Sequence, residues 1–191
     1  MLGTFYFKGS TMKSRLFAAI FLLMSGITPS AQANDNKQWA NISDIGVIAL
    51  AGTALALPAV REDWQGFRQA GYSLVTAEGV AILGKAVIHE RRPDRSDNNS
   101  FPSGHASLAF ASATTLHRRY GWQTGAPAYA LATLTAYARV DARKHHWYDV
   151  VAGALIGTSS GWFFTDAFNS KVQLVPWADS KSAGVQIGMQ W

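Results

Sequence analysis

No cysteine occurs anywhere in the 191 residues. Disulfide frameworks, thiol nucleophiles and cysteine-rich zinc sites are excluded together, and any metal site would have to be built from histidine and carboxylate. Charge is scarce as well: Asp, Glu, Lys and Arg make up 15% of the chain against 48% apolar residues. Soluble domains carry roughly 25% charged residues, so the composition excludes a disordered chain and implies a very apolar interior or a membrane neighbour. Long runs that are both uncharged and apolar are missing too. Residues 45–60 and 150–165 form runs of 16, and the 19 residues 120–138 are interrupted in their first half by Gln123, Thr124, Gly125 and Pro127. A spanning helix needs about 20 apolar residues. Taken alone, these runs fit buried helices of a compact bundle slightly better than membrane spans. Internal repeats and low-complexity segments are absent, and the length matches one domain.

What is present begins with a leader. Lys13 and Arg15, nine apolar residues from Leu16 to Met24, and the small-x-small ending Ala31-Gln32-Ala33 have the form of a secretory signal peptide over residues 1–33. Met12 is an alternative start, and an uncleaved membrane anchor is the competing reading. Cleavage would leave 158 residues outside the cytoplasm. Three positive charges, Lys8, Lys13 and Arg15, belong to this leader, so the formal net charge of +5 falls to about +2 without it. No basic stripe interleaved with aromatics follows, and nucleic acid is not expected as a partner.

Apolar stretches separated by charged or Gly/Pro breaks predict helices over residues 45–57, 71–88, 103–117, 127–139 and 148–168. The expected fold is all-α, a compact bundle of five or six helices within residues 34–168. In the tail, 169–191, Val172 and Leu174, then Val185, Ile187, Met189 and Trp191, alternate with other residues. A small β-hairpin is expected there, with an irregular tail as the alternative. Trp122, Trp147 and Trp162 are expected in the core rather than as exposed interfacial anchors.

Titratable residues collect in three places. Residues 85–95 carry Lys85, His89, Glu90, Arg91, Arg92, Asp94 and Arg95; residues 139–149 carry Arg139, Asp141, Arg143, Lys144, His145, His146 and Asp149; between them lies Phe101-Pro102-Ser103-Gly104-His105. Each alone has a bland explanation: a solvated helix end, an ordinary N-cap, a surface pair at i, i+4. Together they share a chemical logic. A helix opening at Pro102-Ser103-Gly104 offers free backbone N–H groups to an anion, and Gly104 permits close approach to the backbone. Lys85, Arg92 and Arg139 add cations, with the Arg forks suited to phosphate oxygens. Two histidines then divide the proton and nucleophile work, a combination that points to phosphoryl transfer without a metal.

Lys85-x6-Arg92-Pro93, Pro102-Ser103-Gly104-His105 and Arg139-x5-His145-x3-Asp149 resemble, in order and spacing, the three-part signature of the type 2 phosphatidic acid phosphatase and vanadium haloperoxidase superfamily. The resemblance covers about residues 70–165. Two positions depart from the pattern: Ala138 stands where the family usually has Ser, and His146 where an aromatic residue often follows the catalytic histidine. The resemblance implies that His145 attacks phosphorus and forms a phosphohistidine, that Asp149 holds its other ring nitrogen, and that His105 is the general acid. It further implies that Lys85, Ser103, Gly104, Arg92 and Arg139 bind the phosphate oxygens, with no metal and no cofactor.

The implied substrate is a lipid phosphate of the bacterial envelope (undecaprenyl pyrophosphate, phosphatidic acid, phosphatidylglycerophosphate or a lipid A), met outside the cytoplasm at a membrane or in the periplasm. A soluble periplasmic acid phosphatase is the alternative. A vanadium-dependent haloperoxidase fits less well, because such enzymes are much larger. A non-catalytic envelope protein fits less well because His105, His145 and Asp149 are all intact.

Overall fold

The structure, a computed structural model, describes residues 35–166, 172–178 and 182–189. The leader expected over residues 1–33 lies outside the described residues. Five helices follow one another: α1 (Asp35–Val60), α2 (Trp64–Val87), α3 (Gly104–Tyr120), α4 (Trp122–Asp141) and α5 (Trp147–Phe164). Strands β1 (Val172–Ala178) and β2 (Ala183–Met189) then pair antiparallel, from Val172 opposite Met189 to Ala178 opposite Ala183. The all-α expectation and the terminal hairpin both hold.

Most helix ends differ from the sequence reading. Pro58 does not end α1; it is buried in the last turn, where losing one N–H costs a single helical bond and the chain turns at once into α2. Asp63 starts α2 seven residues ahead of Gly71, by accepting the amide of Gly66 at 2.9 Å. Pro127 lies inside α4, close enough to its start for the helix to run through, and α4 begins at Trp122. The described part of α5 ends at Phe164, and residues 167–168 of the expected helix lie outside the described residues.

The centre of the bundle is α3, which packs against all four other helices. Its buried face is made of small residues, among them Ala106, Ser107, Ala109, Ala111, Ser112, Ala113 and Thr114. Some hydroxyls inside the bundle are satisfied within their own helix, as when Ser112 Oγ donates to the Leu108 carbonyl at 2.8 Å. Small side chains on one helix let its neighbour come close, and α5 answers with glycine at every fourth position. A Cβ on Gly153 or Gly157 would lie well inside contact distance of the Ser103 or Ser107 carbonyl of α3, and one on Gly161 would lie 2.7 Å from Thr114 Cβ. Asp149 continues the same row one turn earlier, so this ridge sets where the start of α5 meets the start of α3.

Large apolar side chains also face outward. Ile45 and Ile48 on α1, Val75, Ile82 and Leu83 on α2, and Val151, Leu155 and Phe163 on α5 are exposed. Trp122, Trp147 and Trp162 are exposed at 65%, 67% and 57%, which corrects the expectation of buried tryptophans. Packing by small residues contributes to the correction, since the close contact of α3 with α5 over alanine, serine and glycine leaves no room there for an indole. Among the described residues, only the segment Asn36–Val60 is long and apolar enough to cross a membrane.

Candidate active site

The three motifs meet at one end of the bundle. Arg139 lies in the last turn of α4, after which Ala142 caps the helix and Arg143 takes a left-handed conformation (φ 56°). This tight turn folds the chain back, so that the amides of Lys144 and His145 both donate to the Arg139 carbonyl at 3.1 and 3.2 Å. The spacing Arg139-x5-His145 is therefore the length of one turn between two helices. Ser103 caps α3, its Oγ accepting from the Ala106 amide at 3.4 Å, and its own amide donates to the Asp149 carbonyl at 3.0 Å. That bond joins the second motif to the third. The loop 88–103 is fastened to the same turn by Asp94, whose amide donates to the Arg143 carbonyl at 3.0 Å and whose carboxylate pairs with Lys144 at 2.6 Å.

His145 is 2% exposed. Its Nδ1 donates to the Ser100 carbonyl at 2.7 Å, and the Asp149 carboxylate faces the same nitrogen at 3.5 Å. Asp149, fully buried, accepts instead from Ser100 Oγ at 2.5 Å and from the His146 amide at 2.8 Å. The expected pairing of Asp149 with His145 is present at 3.5 Å and is reinforced by Ser100, which bonds to both and which the motif spacing gave no reason to single out. A proton fixed on Nδ1 leaves Nε2 with its lone pair free. Burial, followed by the nearby cations Arg139, Lys85 and Arg92, holds His145 well below the usual imidazole range, opposed by Asp149. The neutral form is the nucleophilic one. The acid limb of a pH–rate profile should accordingly not contain an ionisation of His145 at its ordinary value of about 6.5.

Each of the three cations has a protein partner. Lys85 Nζ donates to the Pro102 carbonyl and to the Asn99 carbonyl (3.3 Å), gripping the strand of chain that leads into α3. Arg92 pairs with Asp97 at 2.7 Å. Arg139 donates to Ser43 Oγ at 3.2 Å and lies 3.6 Å from Asp44, both on α1. His105 also turns to α1, with Nε2 2.7 Å from Asp44 Oδ1. The space beside Gly104, expected to admit an anion, is bordered by the Glu78 carboxylate, 3.2 Å from where a Cβ would stand. Ser43, Asp44, Glu78 and Ser100 are therefore members of the site that the three motifs do not contain. The one available signal was an acid, Asp44, placed at the edge of an uncharged run.

His146, the other half of the histidine pair, is part-exposed, caps α5 and stacks on Tyr148 at 5.0 Å. With Glu90 and Asp149 it forms a group whose ligand atoms lie within 4.8 Å of one another. The Asp149 oxygen nearest His146 already accepts from Ser100 and from the His146 amide. Removing the Ser100 hydroxyl should cost about 1–2 kcal/mol of stability, because it strips a donor from a buried carboxylate. Thermal unfolding of Ser100→Ala reads this cost, and its turnover should fall as Asp149 loosens.

A family model described as the PAP2 superfamily matches residues 65–173, more than half of the chain. The chain belongs to the PAP2 superfamily. Its match begins in α2 and includes all three motifs, while α1, which brings Ser43 and Asp44, lies before it. Among PAP2 relatives, a lipid A 4'-phosphatase of Helicobacter pylori is 33% identical over 114 residues, 56% of this chain and 58% of that protein. A lipid A 1-phosphatase of Porphyromonas gingivalis is 38% identical over 87 residues, 44% of this chain and 19% of that protein. The chain thus spans less than two thirds of either relative. The crystal structure of Aquifex aeolicus LpxE shares the PAP2 fold seen here, with a TM-score of 0.60 at 21% identity, over 77% of this chain and 93% of that one.

Proposed function

We propose that this protein is a metal-independent phosphatase that hydrolyses a lipid phosphate of the bacterial envelope through a phosphohistidine. The observation that carries the reading is His145: buried, held neutral, fixed at Nδ1 by the Ser100 carbonyl and ringed by Lys85, Arg92 and Arg139. In the first half-reaction the Nε2 lone pair forms the N–P bond while the P–O bond to the leaving group breaks. His105 gives its proton to the departing oxygen. In the second, water attacks phosphorus, its proton passes to His105, and the N–P electron pair returns to His145. Lys85, Arg92 and Arg139, with Ser103 and the backbone at Gly104, neutralise charge growing on the phosphoryl oxygens.

The names of the relatives, both lipid A phosphatases, support a lipid phosphate as the substrate class. So do the outward-facing apolar side chains of α1, α2 and α5, and an apolar groove of about 630 Å³ lined in part by Val80, Leu155, Ile156 and Phe163. The leader-like residues 1–33 support placement outside the cytoplasm. A panel of lipid and soluble phosphate esters assayed with the wild type and with His145→Ala tests the reading. Vanadate, which mimics pentacoordinate phosphorus, is expected to inhibit, and EDTA is not; activity lost to EDTA and restored by a divalent ion would overturn metal independence.

A second reading, a soluble periplasmic acid phosphatase, draws on one observation: only one described helix is long and apolar enough to span a bilayer. Osmotic shock separates the two readings, since release without detergent belongs to the soluble enzyme.

A further inference from the structure

Among the described residues, Asp44 is the charged side chain of α1 that contacts two motif residues at the catalytic end. Its Oδ1 lies 2.7 Å from His105 Nε2 and 3.6 Å from Arg139. The turn of α1 that carries it is itself held in place. Neighbouring Ser43 is fully buried and accepts from Arg139 at 3.2 Å, and Trp39 packs edge-on against Tyr137 of α4 at 5.5 Å. A carboxylate on one nitrogen of an imidazole orients the ring, fixes which nitrogen carries a proton and stabilises the cation.

We propose that Asp44 is the positioning residue of the general acid, a carboxylate that orients His105 through Nε2 from outside the three motifs and favours the protonated ring, whose other N–H supplies the proton that the leaving group receives. The proposal rests on the reading of His105 as general acid. Physical need for such a partner is plain. Burial disfavours a proton on His105, as do Arg139 on α4 and Arg92 in the loop, and Asp44 on α1 is the group that opposes them. When the P–O bond breaks, the electron pair stays on the departing oxygen and the His105 proton moves to it. His105 becomes neutral, and it recovers its proton from the attacking water. Asp44 itself exchanges no atom.

The test uses leaving groups of different need. p-Nitrophenolate departs without a proton, whereas an alkoxide requires one. General acid catalysis is worth about 10²–10⁴-fold, so Asp44→Asn, which keeps the shape and removes the charge, is expected to lower kcat/KM for an alkyl phosphate by roughly tenfold or more. The same variant should lower kcat/KM for p-nitrophenyl phosphate, which reports only the steps through P–O cleavage and not the later attack of water, by less than about threefold. His105→Asn should show the same selectivity, larger in size. Vanadate inhibition of Asp44→Asn should stay within about threefold of wild type or tighten, because Arg139 loses a competing anion.

Equal losses on both substrates, or vanadate affinity falling in step with turnover, would mean a merely structural role and overturn the proposal. Selectivity present in His105→Asn but absent in Asp44→Asn would overturn it while leaving the general-acid reading intact. Absence of selectivity in His105→Asn would overturn that reading first. A thermal melt of Asp44→Asn close to wild type is expected, since the side chain is 52% exposed.

Discussion

Replacing His145 by alanine is expected to lower kcat by at least about 10⁴-fold, the scale seen when a covalent nucleophile is removed from a site whose other groups remain. Nothing described beside it offers a substitute. His146 is next in sequence, but it is the N-cap residue of α5 and its ring stacks on Tyr148, with Nδ1 3.6 Å from Glu90. His146→Ala should therefore keep most of the activity, and the contrast between adjacent histidines controls for general damage to the turn. His145→Ala leaves the Ser100 carbonyl without its donor in a buried setting, at a cost of about 1–3 kcal/mol. A melting temperature read alongside the kinetics separates that loss from lost chemistry. Burst measurements should show no phosphorylated protein in the variant, whereas the wild type quenched in base should retain phosphate on a nitrogen.

The second large effect is on folding. Gly157→Ala is expected to destabilise by about 3 kcal/mol, at the upper end of overpacking costs, and Gly157→Val should fail to fold. A Cβ there would meet the Ser107 carbonyl and come 2.7 Å from the Ala111 amide, both backbone atoms that no rotamer change can move aside. The sign should reverse at Gly52 and Gly71, where a Cβ would have nothing within 4 Å. Alanine at either helical position should stabilise by up to about 1 kcal/mol, through lower backbone entropy of the unfolded chain. Thermal unfolding of the four variants under one condition reads both signs.

The two halves of the site differ in how openly the sequence announces them. His105, His145, Asp149, Lys85, Arg92, Ser103, Gly104 and Arg139 are legible because each sits at a fixed offset within a turn or a cap, and local geometry is what spacing encodes. The helical class is legible for the same reason. Ser100 is not, because its importance comes from a carbonyl and a hydroxyl that only the folded loop aims at His145 and Asp149. Asp44 and Glu78 are not, because they reach the site from α1 and α2 across tertiary distance. Pro58 and Pro127 misled the boundaries, since each lies where a helix loses only one bond. The tryptophans misled the core, because apolarity alone does not say which helix faces small residues have already brought together.

The glycine row of α5 bears on how the molecule can move. Where backbone rests on backbone there are no side-chain rotamers to exchange, so α3 and α5 carry His105 and Asp149 as parts of one rigid block. Any opening that admits a bulky ester or releases phosphate falls to α1, which touches this block at the site through Ser43 and Asp44, or to the loop that Lys85 grips. Where α1 is the part that gives way, substrate entry and the charge state of the proposed acid are mechanically coupled, because that helix carries the carboxylate paired with His105.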